Sequence, residues 1–376
     1  MLEIREVNTK ADIKKFAKFP IKLYKGCPYF VPSFLADEIN AFNPNKNINF
    51  EKNIVKGFLC YKDGKLAGRV MAIINPEDNK NTGENKIRFS RIEAIDDIEV
   101  FGALLNAVEK FGKENGMEII HGPWGFTDQD REGMLTEGFD RISTYATAYS
   151  YPYYSKYMRE LGYGDESKWV ERSFTIPEKP YEKIVRIADR LKQKYHLREL
   201  ADEMSVKEII KKYGYKLFDT VNEAYGHLDG YVPVEGRAVD ELLGQFKMIV
   251  NSRYISVLLD ENDEVAAFGI VLPSIAKPLN KSKGKLFPTG FIGLLRSIKH
   301  PKELEMALIG VKKIYQNSGI NAIVISRIMN NIIEDGIMGI ESNPMLETNF
   351  NIQQLWKFAE NQIVKKRQTY KKQIDA

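Results

Sequence analysis

A chain of 376 residues exceeds an ordinary single domain and points to two or three. Its 43% hydrophobic and 28% charged residues are the balance of a globular protein and exclude a disordered or fibrous chain. A net charge of +4 does not demand a polyanionic partner, and two cysteines exclude a disulfide framework.

Cys27 and Cys60 stand in no C-x-x-C spacing, which fits a reducing compartment. The start, MLEIREVNTK, is charged from its third residue and does not read as a signal peptide. The apolar run at residues 291–295 is five residues long, closed by Arg296, and far short of the roughly 18 to 20 that a membrane helix needs. A soluble, cytoplasmic protein is therefore expected. The four histidines (His121, His196, His227 and His300) have no ligand-like spacing, so no metal is expected.

In chain order, residues 4–7 read as a strand leading into a polar, helix-like segment. A hairpin follows, with strands at 57–61 and 66–74 about a Lys62-Asp63-Gly64-Lys65 turn. Phe101, Leu104, Leu105, Val108 and Phe111 share one face of a helix over 99–113, which ends at Asn115-Gly116, and 117–120 read as a buried strand. The tyrosine-rich stretch 149–163 suits a half-buried core face or a pocket wall. A proline-punctuated polar stretch at 176–180 marks a join, and 181–195 a connecting helix.

The second half repeats the order. A strand at 197–200 opens it, a hairpin follows at 255–259 and 265–272, and 305–311 form a further strand. A helix over 319–334 carries Ile320, Ile323, Val324, Ile328, Ile332 and Ile333, and a strand at 337–340 succeeds it. The matched features indicate a degenerate internal duplication. Between hairpin and strand, the basic stretch 277–299 reads as an inserted loop and amphipathic helix over the second domain, with contact to a membrane surface, a nucleic acid or an acidic substrate as other readings. The tail with Lys365, Lys366 and Arg367 reads as a lysine-protected edge strand or as a holder of phosphates.

One segment carries chemistry. Gln316-Asn317-Ser318-Gly319-Ile320-Asn321-Ala322 opens the 319–334 helix, where free backbone N–H groups and the helix dipole favour an anion. Lys312 and Lys313 add positive charge nearby. A plain polar N-cap with nothing bound is the other reading. The corresponding first-half junction, Ile95-Asp96-Asp97-Ile98-Glu99, is acidic and would repel a pyrophosphate.

Gln316-x-x-Gly319-x-Asn321-Ala322 resembles the Q/R-x-x-G-x-G/A loop of GNAT acyltransferases, which wraps the coenzyme A pyrophosphate, with Asn321 where the family has Gly or Ala. The chain as a whole is similar to a bacterial family of two-domain GNAT proteins through Phe19-Pro20, Gly122-Pro123, Leu286-Phe287-Pro288 and residues 315–322 and 343–349. The resemblance implies an α/β (α+β) fold of two tandem GNAT-like domains, residues 1–178 and 179–376, each a mixed, largely antiparallel twisted sheet flanked by helices. Only the second would keep the coenzyme loop.

It implies acetyl-CoA or another acyl-CoA as co-substrate, bound by residues 316–322 and by backbone groups at Ile309 and Val311. Glu305 or Glu303 would be the general base, with a solvated strand start as the other reading of both. Glu347 and Asn349 are site candidates, with an N-cap as the other reading of Asn349. No tyrosine matches the family's general acid. The expected function is N-acylation of an amine in the inter-domain cleft; the alternative is a non-catalytic binding module. No strong nucleic-acid signal is present, and peripheral membrane contact is compatible with the basic stretch.

Overall fold

The computed structural model describes residues 1–43, 45–127, 130–228, 231–288 and 290–375. The first half runs β1 (Leu2–Glu6), α1 (Lys10–Leu23), α2 (Leu35–Asn40), β2 (Ile54–Lys62), β3 (Lys65–Ile74), α3 (Pro76–Thr82), β4 (Lys86–Ala94), α4 (Ile98–Glu114), β5 (Ile119–Gly122), β6 (Met134–Glu137), α5 (Tyr153–Glu160) and β7 (Gly164–Phe174). After α6 (Glu182–Lys194) come β8 (Arg198–Glu199), α7 (Val206–Tyr225), α8 (Arg237–Ile249), β9 (Ile255–Leu259), β10 (Val265–Pro273), α9 (Ala276–Ser282) and α10 (Gly290–Lys299). The chain closes with β11 (Glu303–Val311), α11 (Asn321–Glu334), β12 (Gly339–Ser342), β13 (Met345–Leu346), α12 (Phe350–Leu355) and β14 (Asn361–Gln373).

The two halves use the same ladder. β1 through β4 pair antiparallel in sequence and β4 then pairs parallel with β5. β8 through β11 do the same, and β11 pairs parallel with β12. The helix that links each parallel pair, α4 or α11, lays its apolar stripe on its own half's sheet. Phe101, Leu104 and Val108 are buried in one core, and Ile323, Val324 and Ile328 in the other. A glycine beneath each helix permits that approach: a Cβ on Gly68 of β3 would lie 2.7 Å from Leu104, and one on Gly269 of β10 would lie 2.4 Å from Val324. The polar helices that follow the opening strands begin with capping boxes, Thr9 with Asp12 and Ser205 with Glu208.

The halves join edge to edge by exchanging their last strands. β7, which ends the first half, pairs with β12 of the second. β14, which ends the chain, pairs with β5 of the first. The two exchanged strands pair with each other from Asn361↔Phe174 to Lys371↔Gly164, so one 14-stranded sheet crosses the molecule.

This corrects the reading of the tail as an edge strand or phosphate holder. β14 lies at the centre of the sheet, and Lys365 and Arg367 are fully buried on it, where an unpaired charge is prohibitively costly. Both reach Glu171 of β7, and Lys365 also meets Glu341 of β12. The basic stretch is corrected as well. It folds as α9 and α10, but their inner residues Leu279, Leu294 and Ile298 pack with Val31 and Phe34 of the first half.

Candidate active site

The site begins where the parallel ladder of the second half stops. β11 and β12 pair from Glu303↔Gly339 to Met306↔Ser342; β11 then continues to Val311 paired with β10 but no longer with β12. The chain beyond Ser342 turns through Asn343 and Pro344 into β13, which pairs with β7 instead. On its other side β11 carries a bulge. Ile270 faces Leu308 and Val271 faces Met306, so Ala307 is the unpaired extra residue. The sheet therefore opens as a wedge at Met306, and a cavity of about 330 Å³ fills it.

That cavity is mainly apolar, with Asp130, Glu132 and Asn343 among its polar lining. Met306, Leu308 and Ile309 of β11 form one wall, and Val324, Ile328 and Ile332 of α11 form another. Phe174, Ile176 and Pro177 of the inter-half connection and Trp356 complete it. At its edge the Tyr225 hydroxyl donates to the Ile309 carbonyl at 2.9 Å and accepts from the Ile309 N–H at 3.3 Å. The strand-edge groups expected to meet a pantetheine arm are thus held by a side chain at the end of α7.

The loop after β11 closes in a tight polar turn. Ser318 Oγ donates to the Tyr315 carbonyl at 2.5 Å, Gln316 reaches back to the Val311 carbonyl at 3.4 Å, and Tyr315 donates to Asp260. Asn317 and Gly319 have φ of +62° and +83°, which Gly319 adopts without strain. Helix α11 starts at Asn321, two residues later than its periodicity predicts, and its N-cap Ile320 provides no side-chain cap. The first half differs here. Asp97 caps α4 by accepting from the N–H groups of Glu99 and Val100, and Lys62 pairs with Asp97 and Glu99. The first-half helix terminus is sealed by its own carboxylates.

A second cavity, of about 310 Å³, adjoins the first and shares Ala307, Leu308, Asp130 and Asn343 with it. Its walls are charged. Glu93 accepts from Arg69 Nε at 2.5 Å; Arg69 also reaches Glu38 at 3.1 Å, and Arg91 reaches Glu38 at 3.3 Å. A bulge in β4 re-aims Arg91, which takes a φ of +48°. Burial pushes the Glu93 carboxyl up to about 7 against the pull of Arg69. Burial opposes ionisation of Glu38 too, but Arg91, Arg69 and Arg131 together hold it down at about 2.

Of the sequence candidates, Glu305 is buried rather than solvated. It accepts from Ser274 Oγ at 2.6 Å and from the Tyr145 N–H at 2.9 Å, and burial raises its pKa. It lines neither cavity and instead fastens β11 to a first-half loop. Asn349 caps α12 through the Ile352 N–H at 3.2 Å and also borders the apolar cavity. Glu347 is exposed, its N–H bonded to the Lys168 carbonyl, and lies outside both cavities. Ile309 lines the apolar cavity; Val311 and residues 316–322 lie beyond its lining. Sequence reasoning missed Tyr225, Arg69, Arg91 and Glu93. Charges interrupting the otherwise apolar strands β3 and β4 were the available signal.

No helix among the described residues is long and apolar enough to cross a membrane. Among them, too, no group of three or more potential metal ligands gathers. No family model matches the chain. It is 26% identical to Protein YghO of Escherichia coli (strain K12), over 99% of this chain and 95% of that protein. It is also 26% identical to the bacterial ceramide synthase of Caulobacter vibrioides, over 84% of this chain and 82% of that one. A tandem GNAT protein from the clavulanic acid biosynthesis pathway superposes with a TM-score of 0.55 at 9% identity, covering 100% of this chain and 99% of its own. At that identity the likeness concerns the fold: the chain is built as a tandem GNAT-like protein.

Proposed function

We propose that this tandem GNAT-like chain is an acyl-CoA-dependent N-acyltransferase that moves a long acyl chain onto an amine. The apolar wedge between β11 and β12 carries the reading: a cavity of about 330 Å³ walled by aliphatic and aromatic side chains suits a hydrocarbon chain far better than an acetyl group alone. One relative bears the name ceramide synthase, and a ceramide is itself a long-chain amine acylated on nitrogen.

In this reading the coenzyme pyrophosphate lies against residues 316–322, and the pantetheine arm takes the Ile309 backbone groups once Tyr225 yields them. The acyl chain fills the wedge, and the acceptor enters the charged second cavity. The amine nitrogen attacks the thioester carbonyl carbon, a C–N bond forms, the C–S bond breaks, and the coenzyme leaves as its thiol after gaining a proton. Ala307, left without a partner on β10 by the bulge, lines both cavities, and in this reading its backbone N–H meets the transient oxyanion. Glu93 is better matched than Glu305 to take the amine proton: it faces a cavity, and its pKa of about 7 suits a general base.

Thiol release with an acyl-CoA series, from acetyl to palmitoyl, and a panel of amines tests this. Turnover is expected to rise with chain length and to fall for long chains when Val324→Trp fills the wedge. Tyr225→Phe removes a competing hydrogen bond and is expected to tighten coenzyme binding about 2- to 10-fold in titration calorimetry. The Tyr225 contact also favours a second reading, a non-catalytic module in which the strand edge stays closed. Coenzyme A that neither binds nor stabilises the protein at millimolar concentration would reject the acyl-CoA reading.

A further inference from the structure

Residues 265–302 contain no aspartate or glutamate, yet they include Lys281, Lys283, Lys285, Arg296 and Lys299. Among the described residues none of these five has a carboxylate partner; Lys277, paired with Glu303, is the neighbouring exception. The same segment bears a cluster of large apolar side chains in solvent. Phe287 is 76% exposed and Ile292 60%, with Phe291 and Leu295 also exposed. The rings of Phe287 and Phe291 stack at 6.0 Å. The opposite face of α10 is satisfied: Leu294 and Ile298 pack onto Val31, Ile275 and Leu279. Helix α10 is thus amphipathic in a second sense, with one apolar stripe on the protein and another facing out, rimmed by cations.

We infer that the outer face of α9 and α10 docks onto an anionic lipid bilayer. Aromatic and aliphatic side chains flanked by lysines suit the boundary between headgroups and acyl chains, where burial and charge attraction add. A nucleic acid offers the lysines phosphates but gives Ile292 and Leu295 nothing to bury against. A second copy meeting this face symmetrically would set cation against cation.

The location strengthens the inference. Asn280 donates to the Phe30 carbonyl at 2.7 Å, Leu35 N–H donates to the Gly284 carbonyl, and Asn251 donates to the Ile298 carbonyl. Phe30 and Ser33 on one side, and Phe246 and Ile249 on the other, line the charged second cavity. The docking element is moored to both walls of that cavity, so a docked molecule holds the cavity's wall beside the lipid. The inference does not depend on acyl transfer and is tested without it.

Sedimentation of the full chain with phosphatidylcholine vesicles, with and without phosphatidylglycerol, measures the docking. Binding is expected with the anionic vesicles and to weaken as salt shortens the Debye length from about 10 Å at 0.1 M to about 3 Å at 1 M. Phe291→Ser/Ile292→Ser/Leu295→Ser and, separately, Lys281→Gln/Lys283→Gln/Lys285→Gln are each expected to reduce it at least about tenfold. Phe291→Trp is expected to blue-shift its emission on anionic vesicles. All six positions lie off the core, and an unchanged unfolding midpoint verifies that the variants fold. Three results overturn the inference: no sedimentation with anionic vesicles, equal binding to neutral ones, or retained binding in the apolar variant. So does an apolar variant whose only change is loss of a dimer, or a charge variant that loses duplex DNA while vesicles stay bound.

Discussion

Glu93 and Glu38 share Arg69 yet are driven in opposite directions, because Glu38 gathers three guanidinium groups and Glu93 mainly one. If Glu93 is the base proposed above, it acts ionised, so turnover is expected to rise with pH through about 7. Glu93→Gln should abolish that limb of the kcat/KM profile. For stability the signs differ. The raised Glu93 pKa gives a contribution fully present below its ordinary value of 4.5 and lost as pH rises through about 7. Glu38, and Glu166 of β7, which His121 and the Trp124 indole N–H hold down at about 2 against burial, give contributions present above 4.5 and lost as pH falls toward about 2. Urea unfolding across pH, compared with Glu93→Gln, separates the two arms: the variant should lose less stability between pH 5 and 8. At the sheet centre, Glu171→Ala would leave Lys365 and Arg367 without their shared carboxylate. A loss of about 3–5 kcal/mol is expected by chemical denaturation.

Elements reveal how closely the sheet and helices are fitted. Gly269→Val would force a side chain into Val324, and overpacking of that kind costs about 1–3 kcal/mol. Gly244 in α8 has nothing within 4 Å of a Cβ, so Gly244→Ala should instead stabilise by roughly 0.5–1 kcal/mol. Thermal unfolding of the two variants should move in opposite directions. The elements themselves were largely legible. The helix predicted at 99–113 is α4, both hairpins are present, and the connecting helix predicted at 181–195 is α6. Local signals sufficed: the α4 stripe is written in residues three or four apart, and the hairpins in short apolar runs about a turn. The strands predicted at 117–120 and 337–340 begin about two residues later, since left-handed glycines, Gly116 and Gly336, delay entry into the ladder.

For the molecule as a whole, strand exchange makes the halves interdependent. Deleting residues 361–376 would strip β5 and β7 of a shared partner and unpair Glu171. Such a chain is expected to lose the single cooperative unfolding transition expected of the full chain, whereas two independent halves would leave the first half's transition intact. Calorimetry distinguishes the outcomes. From sequence alone came the duplicated order of elements, the polar loop at 316–322 and the acidic junction that seals α4, because each depends on neighbours in the chain. Tertiary structure alone decided that the lysine-rich tail is a central strand, that Glu305 is buried while Glu347 is not, and that Tyr225 covers Ile309. The partners involved lie far apart in sequence, as in the pairing of Asn361 with Phe174, and no local pattern records which distant strand will satisfy an open ladder or neutralise a buried charge.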